Sequence, residues 1–112
     1  MTVSFGQAQA QRDYYEIRKY SISGPEQESR LDNYFKNAYL PALHRAGVKD
    51  VGVFKPVATD EANAGKYVYV FLPLKSLDQL HRLPEVLARD KKYLADGKDY
   101  IDASYQNAPY VR

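Results

Sequence analysis

The stretch KYVYVFL, residues 66–72, decides the fold of this chain. Successive side chains of a β-strand point to opposite faces of the sheet, so the stretch divides into two rows. The rows are aliphatic and aromatic, namely Val68, Val70 and Leu72 on one face and Tyr67, Tyr69 and Phe71 on the other. A strand with one face in water would alternate apolar and polar residues instead. We therefore predict helices over the aliphatic row and a second copy or second domain over the aromatic row.

Turn and cap signals divide the chain before this strand. Residues 13–22 are rich in Tyr and Ile and predict a first strand. A helix should begin at Pro25, which suits a first helical position, and should end at Gly47. Pro41 lies inside that helix and cannot donate to the carbonyl of Asn37, so we expect a kink.

The remaining elements follow from similar signals. Residues 51–57 predict a second strand, which forms an antiparallel hairpin with the stretch quoted above. Ser76 opens a capping box and a second helix that should stop at Gly97. Pro84 either kinks that helix or starts another. We expect residues 98–112 to form an extended, anchored tail.

The order strand, helix, strand, strand, helix predicts an α+β fold of the ferredoxin-like βαββαβ type. Its antiparallel sheet would carry helices on one face, and its last strand would be short or missing, unless residues 110–112 begin it. We assign residues 1–12 to a flexible leader and residues 13–112 to the domain. A short or missing last strand leaves two explanations open: the chain is the first domain of a longer chain, or a partner supplies the strand.

The first strand contains a Glu and an Arg that point to the same face among tyrosines. We place Tyr15 and Ile17 toward the helices, and Glu16, Arg18 and Tyr20 on the opposite face. Two such sheets packed face to face would form a barrel lined by Tyr, Phe and a few charges. The sequence therefore predicts assembly through this outer face, as a homodimer or with a second similar domain.

Composition excludes several classes of function. The chain has 112 residues, the length of one domain, with 45% hydrophobic residues and a net charge of +2. That charge is too small to predict nucleic-acid binding. The absence of Cys excludes disulfides and thiol chemistry, and no apolar run is long enough to span a membrane. Ala8-Gln9-Ala10 matches the pattern before a signal-peptidase cut, so bacterial cytoplasm and periplasm both remain open.

Five residues are candidates for binding a ligand: Glu16, Arg18, Tyr20, His44 and Tyr69. Carboxylate and guanidinium groups in an aromatic cavity orient a polar ligand, and tyrosine rings stack on it. Structural roles are the alternatives for these residues. An ion pair also fixes strand register, and a His in the last helical turn interacts favourably with the helix dipole. His81 is expected at the surface. We predict no cofactor and no metal site, since Asp99 and Asp102 lack a third ligand.

Three segments resemble the NIPSNAP family. They are YEIRKY at residues 15–20, YLPALHRAG at residues 39–47 and VGVF at residues 51–54, and the resemblance extends over residues 13–112. It implies ferredoxin-like units paired into a dimeric α/β barrel, and it implies no particular reaction. We expect a protein that binds a small aromatic or lipophilic molecule in a barrel or helix–sheet cavity. The alternative is a structural or protein-interaction module with no active site, so the sequence does not decide whether the protein is an enzyme.

Overall fold

The computed structural model describes the backbone of residues 2–8 and 13–111 and the side chains of residues 14–111. One antiparallel sheet has the strand order β1-β2-β4-β3. Its strands are β1 (Thr2–Ala8), β2 (Asp13–Ser21), β3 (Gly52–Phe54) and β4 (Tyr67–Leu74). The helices are α1 (Pro25–Tyr34), a π-helical turn (Phe35–Tyr39), α2 (Leu40–Arg45), α3 (Leu77–Ala88), α4 (Lys91–Asp96) and α5 (Lys98–Ile101). The predicted α+β class is confirmed.

Strand β1 lies in the part of the chain that the sequence assigned to a flexible leader. It pairs antiparallel with β2, with Thr2 opposite Lys19 and Ala8 opposite Asp13. The prediction of a leader is therefore wrong for residues 2–8, while residues 9–12 lie outside the described residues. Each backbone pair adds to the ladder, which is the physical reason that a segment of weak sequence pattern becomes a strand.

Pro41 changes the first helix in a different way from a simple kink. The chain widens into the π turn Phe35–Tyr39, in which the N–H of Leu40 donates to the carbonyl of Phe35. Pro41 follows within the first turn of α2, and the carbonyl that its ring would meet in an α-helix, that of Asn37, lies inside the π turn. The extra residue in this turn accommodates the proline without ending the helix.

The helices cover the aliphatic row of β4, as predicted. Val68, Val70 and Leu72 have no exposed surface. They pack against buried side chains of the first helix and of α3 and α4, namely Leu31, Phe35, Ala38, Tyr39, Leu43, Leu83, Leu87 and Tyr93. The core therefore lies between one face of the sheet and the helices. Helix α3 begins at the predicted cap, where the N–H of Gln79 donates to Ser76 Oγ at 3.1 Å.

The face assignment within β2 was wrong. Glu16 pairs with Leu72, Arg18 with Val70 and Tyr20 with Val68. Directly opposed residues of an antiparallel pair share a face, so this row lies with the aliphatic row under the helices. Glu16 and Tyr20 are accordingly buried. The sequence had placed the row toward a partner instead.

The opposite side of the sheet carries the aromatic row, and we call it the open sheet face. Its members are Tyr15, Ile17, Lys19, Phe54, Tyr67, Tyr69 and Phe71. Their side chains are partly or well exposed, and Phe54 is 59% exposed. The rings contact one another and the lysine: Tyr15 lies 5.5 Å from Phe71, and Lys19 Nζ lies 4.1 Å from the ring centre of Tyr67. The aromatic row thus lies on the outer face, as the sequence predicted, but Glu16 and Arg18 lie on the opposite face.

The C-terminal tail is anchored, as predicted, but it is helical in part. After α5 the chain passes through a 3₁₀ turn, Tyr105–Asn107, and returns to β2. The N–H of Val111 donates to the carbonyl of Ser21 at 2.7 Å, and Tyr110 packs on Tyr20 with ring centres 5.5 Å apart. This backbone contact lies at the place suggested for a last strand, but residues 110–111 are not strand.

Candidate functional site

Glu16 and Arg18 form an ion pair between the sheet and the helices. Arg18 Nε donates to Glu16 Oε1, and the two side chains are 24% and 4% exposed. The Arg18 guanidinium also lies over the ring of Tyr39, with its carbon 5.6 Å from the ring centre. Burial alone would lower the pKa of Arg18, but the Tyr39 hydroxyl and the bond to Glu16 outweigh it and raise that pKa. The guanidinium therefore remains charged.

A cluster of tyrosines adjoins this pair. Tyr34 and Tyr93 share a hydrogen bond between their hydroxyls at 2.7 Å, and the Tyr100 hydroxyl donates to that of Tyr20 at 3.2 Å. The rings of Tyr34 and Tyr100 are stacked with their centres 3.8 Å apart. Burial raises the pKa of Tyr34, Tyr93 and Tyr100. These hydroxyls therefore remain neutral near neutral pH, as donors or acceptors of hydrogen bonds.

Tyr39 completes the group and differs from the other tyrosines. It lies at the end of the π turn and is 1% exposed. Its hydroxyl has no hydrogen-bond partner among the described residues. Burial raises the pKa of this hydroxyl, and the charge of Arg18 offsets only part of that effect. Tyr39 therefore has a buried, protonated and unpaired hydroxyl on a ring that contacts a charged guanidinium.

These groups line a cleft of about 740 Å³, which we call the helix–sheet cleft. Its walls come from β2, the first helix and helices α3 to α5, and they are mainly apolar. The lining residues are Glu16, Arg18, Tyr34, Tyr39, Leu80, His81, Leu83, Pro84, Leu87, Ala88, Tyr93, Leu94, Tyr100 and Ile101. The size and the few polar groups in an apolar wall are typical of small-molecule sites, which span roughly 300–1,000 Å³.

The structure brings together only part of the predicted site. Glu16 and Arg18 line the cleft, and Tyr20 lies buried just behind it, bonded to Tyr100. His44 is exposed and borders a separate groove of about 420 Å³ beside Val53. Tyr69 lies on the open sheet face, so His44 and Tyr69 do not belong to the cleft. The five candidates therefore divide among three places.

Sequence reasoning missed several residues of the cleft. Tyr39 was considered only as part of the segment YLPALHRAG, and Tyr93 and Tyr100 were not considered as site residues. Tyr93 and Tyr100 lie on different helices, α4 and α5, which meet at Gly97, so helical periodicity in the sequence does not connect them. His81 was assigned to the surface, and it is exposed while also lining the cleft.

The described part of the chain shows neither a metal-binding cluster nor a membrane-spanning helix. No group of three His, Asp or Glu side chains there lies close enough to hold a metal ion. Within residues 2–8 and 13–111, none of the helices is long and apolar enough to cross a membrane. The helix–sheet cleft is therefore the arrangement in which polar, aromatic and apolar groups converge most clearly.

The fold and the cleft define a small α+β protein with an aromatic, largely apolar cavity that contains a partly buried ion pair. No protein-family model, curated protein or solved structure matches this chain. The function must therefore be argued from the chain's own geometry.

Proposed function

We propose that this protein binds a small aromatic or lipophilic molecule in the helix–sheet cleft. The observation that carries the proposal is the Glu16–Arg18 pair in the wall of an otherwise apolar cavity. Removing two charges from water is costly, and an apolar pair of the same volume often gives equal or greater stability. Retention of charge at this place is explained by recognition of a polar group on an otherwise apolar ligand.

Filling the mouth of the cleft tests this proposal. Ala88 is exposed and lines the cleft, so Ala88→Trp should occupy ligand space without disturbing the core. Ala95→Trp is the matched control, since Ala95 is exposed on α4 outside the cleft. Equilibrium dialysis with naphthalene derivatives should give saturable binding that Ala88→Trp weakens at least about tenfold, a change of about 1.4 kcal/mol. Equal binding by both variants contradicts the site.

We further propose that two copies pair through the open sheet face, as the resemblance to the NIPSNAP family implies. The strand order supports a ferredoxin-like unit, because β4 lies between β2 and β3, which a helical segment connects. In this proposal β1 occupies the edge beside β2 where the unit's last strand would lie. A contiguous aromatic surface is uncommon on a monomer, and a two-fold interface would cover the same surface on both copies.

Sedimentation at micromolar concentration tests the pairing. The wild-type chain should sediment as a dimer and Tyr69→Asp as a monomer, because the substitution places a charge in the middle of the interface. Thr59→Asp, in the exposed loop before β4, should leave the dimer intact. A monomeric wild-type chain would refute pairing between copies and favour a second domain, or another protein, as the cover.

The open sheet face also supports the alternative function of an interaction module without a ligand. That alternative predicts no saturable binding in the dialysis experiment, together with association that depends on Tyr69. The two measurements therefore separate the functions, because one reports on the cleft and the other on the opposite side of the sheet.

A further inference from the structure

Tyr39 differs from its neighbours in leaving its hydroxyl unpaired. The hydroxyls of Tyr34 and Tyr93 bond to each other at 2.7 Å, and those of Tyr20 and Tyr100 bond at 3.2 Å. No described residue bonds to the Tyr39 hydroxyl, although it is buried. A buried polar group without a partner destabilises the folded state, so each such group calls for an explanation.

The π turn explains how Tyr39 comes to line the cleft. The turn inserts one residue more than an α-helix would have between Phe35 and Leu40, directly before Pro41. Every side chain after the insertion is rotated relative to a continuous α-helix. Such turns are rare and occur frequently at functional sites. Here the turn ends on Tyr39, whose ring forms part of the cleft wall.

Arg18 places further donors beside the Tyr39 side chain. Its guanidinium carbon lies 5.6 Å from the centre of the Tyr39 ring. The Nε atom is bonded to Glu16, and neither terminal nitrogen hydrogen-bonds to a described residue. Because Glu16 already balances the charge of Arg18, a ligand group that carries its own charge would add an uncompensated charge to a largely apolar cavity. A neutral acceptor would not.

We propose that Tyr39 and Arg18 bind the neutral carbonyl oxygen of an aromatic ketone, ester or amide in the helix–sheet cleft. The inference rests on the proposed function and specifies its ligand class. The Tyr39 hydroxyl donates the directional hydrogen bond, and a terminal nitrogen of Arg18 donates a second. Glu16 positions the guanidinium through Nε and leaves its terminal nitrogens available. The aromatic part of the ligand packs against the tyrosine and leucine side chains of the cleft.

Two nearly isosteric probes test the inference by equilibrium dialysis: acetonaphthone, which carries a carbonyl, and ethylnaphthalene, which lacks it. The wild-type chain should bind the ketone at least about tenfold more tightly, because ethylnaphthalene leaves both donors without an acceptor. Tyr39→Phe should reduce that ratio severalfold, because only the Arg18 donor then remains, and should leave the affinity for ethylnaphthalene unchanged. The same variant should unfold at a higher urea concentration than the wild type, because it removes an unpaired buried hydroxyl.

Tyr34→Phe is the matched control, since the Tyr34 hydroxyl is paired with that of Tyr93. It should lower the urea midpoint. Tyr67→Phe is the control for binding: it removes a hydroxyl on the open sheet face, outside the cleft, and should preserve the ratio between the probes. A ratio that Tyr39→Phe leaves unchanged refutes the inference, as does tighter binding of the anion naphthoate or the cation naphthylmethylamine than of the ketone. Equal binding of both neutral probes by the wild type refutes the inference alone. If neither neutral probe binds, the proposed function fails together with it.

Discussion

Tyr69 and Val70 are adjacent on β4 and lie in opposite environments. Val70 is completely buried under the helices, whereas Tyr69 is partly exposed on the open sheet face. Both belong to apolar or aromatic rows, so hydrophobicity alone does not explain which face the fold covers. The connections explain it: β2 and β3 are parallel, and the helical crossover between them passes over one face. Such crossovers are nearly always right-handed, which fixes that face.

The charged and aromatic side chains are distributed between the two faces in the opposite way to that expected from solvent exposure. The covered face contains the Glu16–Arg18 pair, and the open face contains an aromatic surface in contact with Lys19. An ion pair under the helices and aromatic rings on the solvent-facing side of the sheet do not increase the stability of an isolated, ligand-free monomer. This contrast supports the two proposals made above, a ligand on the covered side and a second protein surface on the open side.

The largest effect should come from charging the two adjacent residues of β4 in turn. Val70→Asp adds a second buried carboxylate opposite Arg18, which already pairs with Glu16, and should cost about 4 kcal/mol, a large part of the stability of a small domain. Tyr69→Asp should change the unfolding free energy of the protomer by no more than about 1 kcal/mol. Urea denaturation followed by circular dichroism measures both.

Equal losses from the two substitutions would show that the open face is as closed as the other in the isolated protomer. Tyr67→Asp provides a second substitution on the open face, and Val68→Asp a second on the covered face. The difference in stability loss between the two faces is therefore tested at four successive residues of β4 and does not depend on a single position.

A smaller effect should come from breaking the ion pair on the covered face. Glu16→Leu leaves Arg18 without its partner and should cost about 3 kcal/mol, near the lower end for buried pairs because Arg18 is 24% exposed. Replacing both residues with Leu should cost less than the single substitution, since no charge is then left unpaired. The double-mutant cycle measures the coupling. A double variant less stable than Glu16→Leu would instead show that Arg18 stabilises the fold independently of Glu16.

The order of strands and helices from β2 to α3 could be predicted from the sequence. The orientation of β2, which decides which of its side chains lie under the helices, could not. Its two rows have similar composition: tyrosines flank Glu16 and Arg18 on one, and Tyr15 and Ile17 accompany Lys19 on the other. The polar pair was taken as the sign of an outer face. Ile22, which is buried and in phase with Tyr20, was the available signal for the correct orientation. Only the register with β4 settles such an ambiguity, because a shift of one residue reverses every side chain.

The candidate site was predictable to the extent that its residues lie on one regular element. Glu16 and Arg18 were identified because they are two residues apart on a strand. Tyr39 was not, because its direction depends on the π turn, and helical periodicity assumes that no residue is inserted. His44 and Tyr69 were chosen as candidates for their residue types alone. In the fold, His44 borders a different groove and Tyr69 lies on the other side of the sheet from the cleft.

The smallest predicted effect concerns the ends of the helices that cover the sheet. Asp90 caps α4, accepting from the N–H of Tyr93 at 3.0 Å, and it pairs with Arg45 of α2 through two bonds of 2.9 Å. Asp90→Ala should cost about 1 kcal/mol at neutral pH, mainly for the lost cap. The ion pair adds little, because Arg45 is 40% exposed and water screens it. Asp90→Asn, which retains an acceptor for the cap, should cost less.

The pH dependence of this effect has a defined sign. The bond from the Tyr93 N–H and the Arg45 guanidinium lower the pKa of Asp90 below its usual 3.8. The stabilisation is therefore fully present above pH 3.8 and is lost as the pH falls through the lower folded value. The stability difference between wild type and Asp90→Asn, from urea midpoints at successive pH values, should disappear over that acid range. A difference that stays constant into acid would show that the carboxylate charge does not hold α2 and α4 together above the sheet.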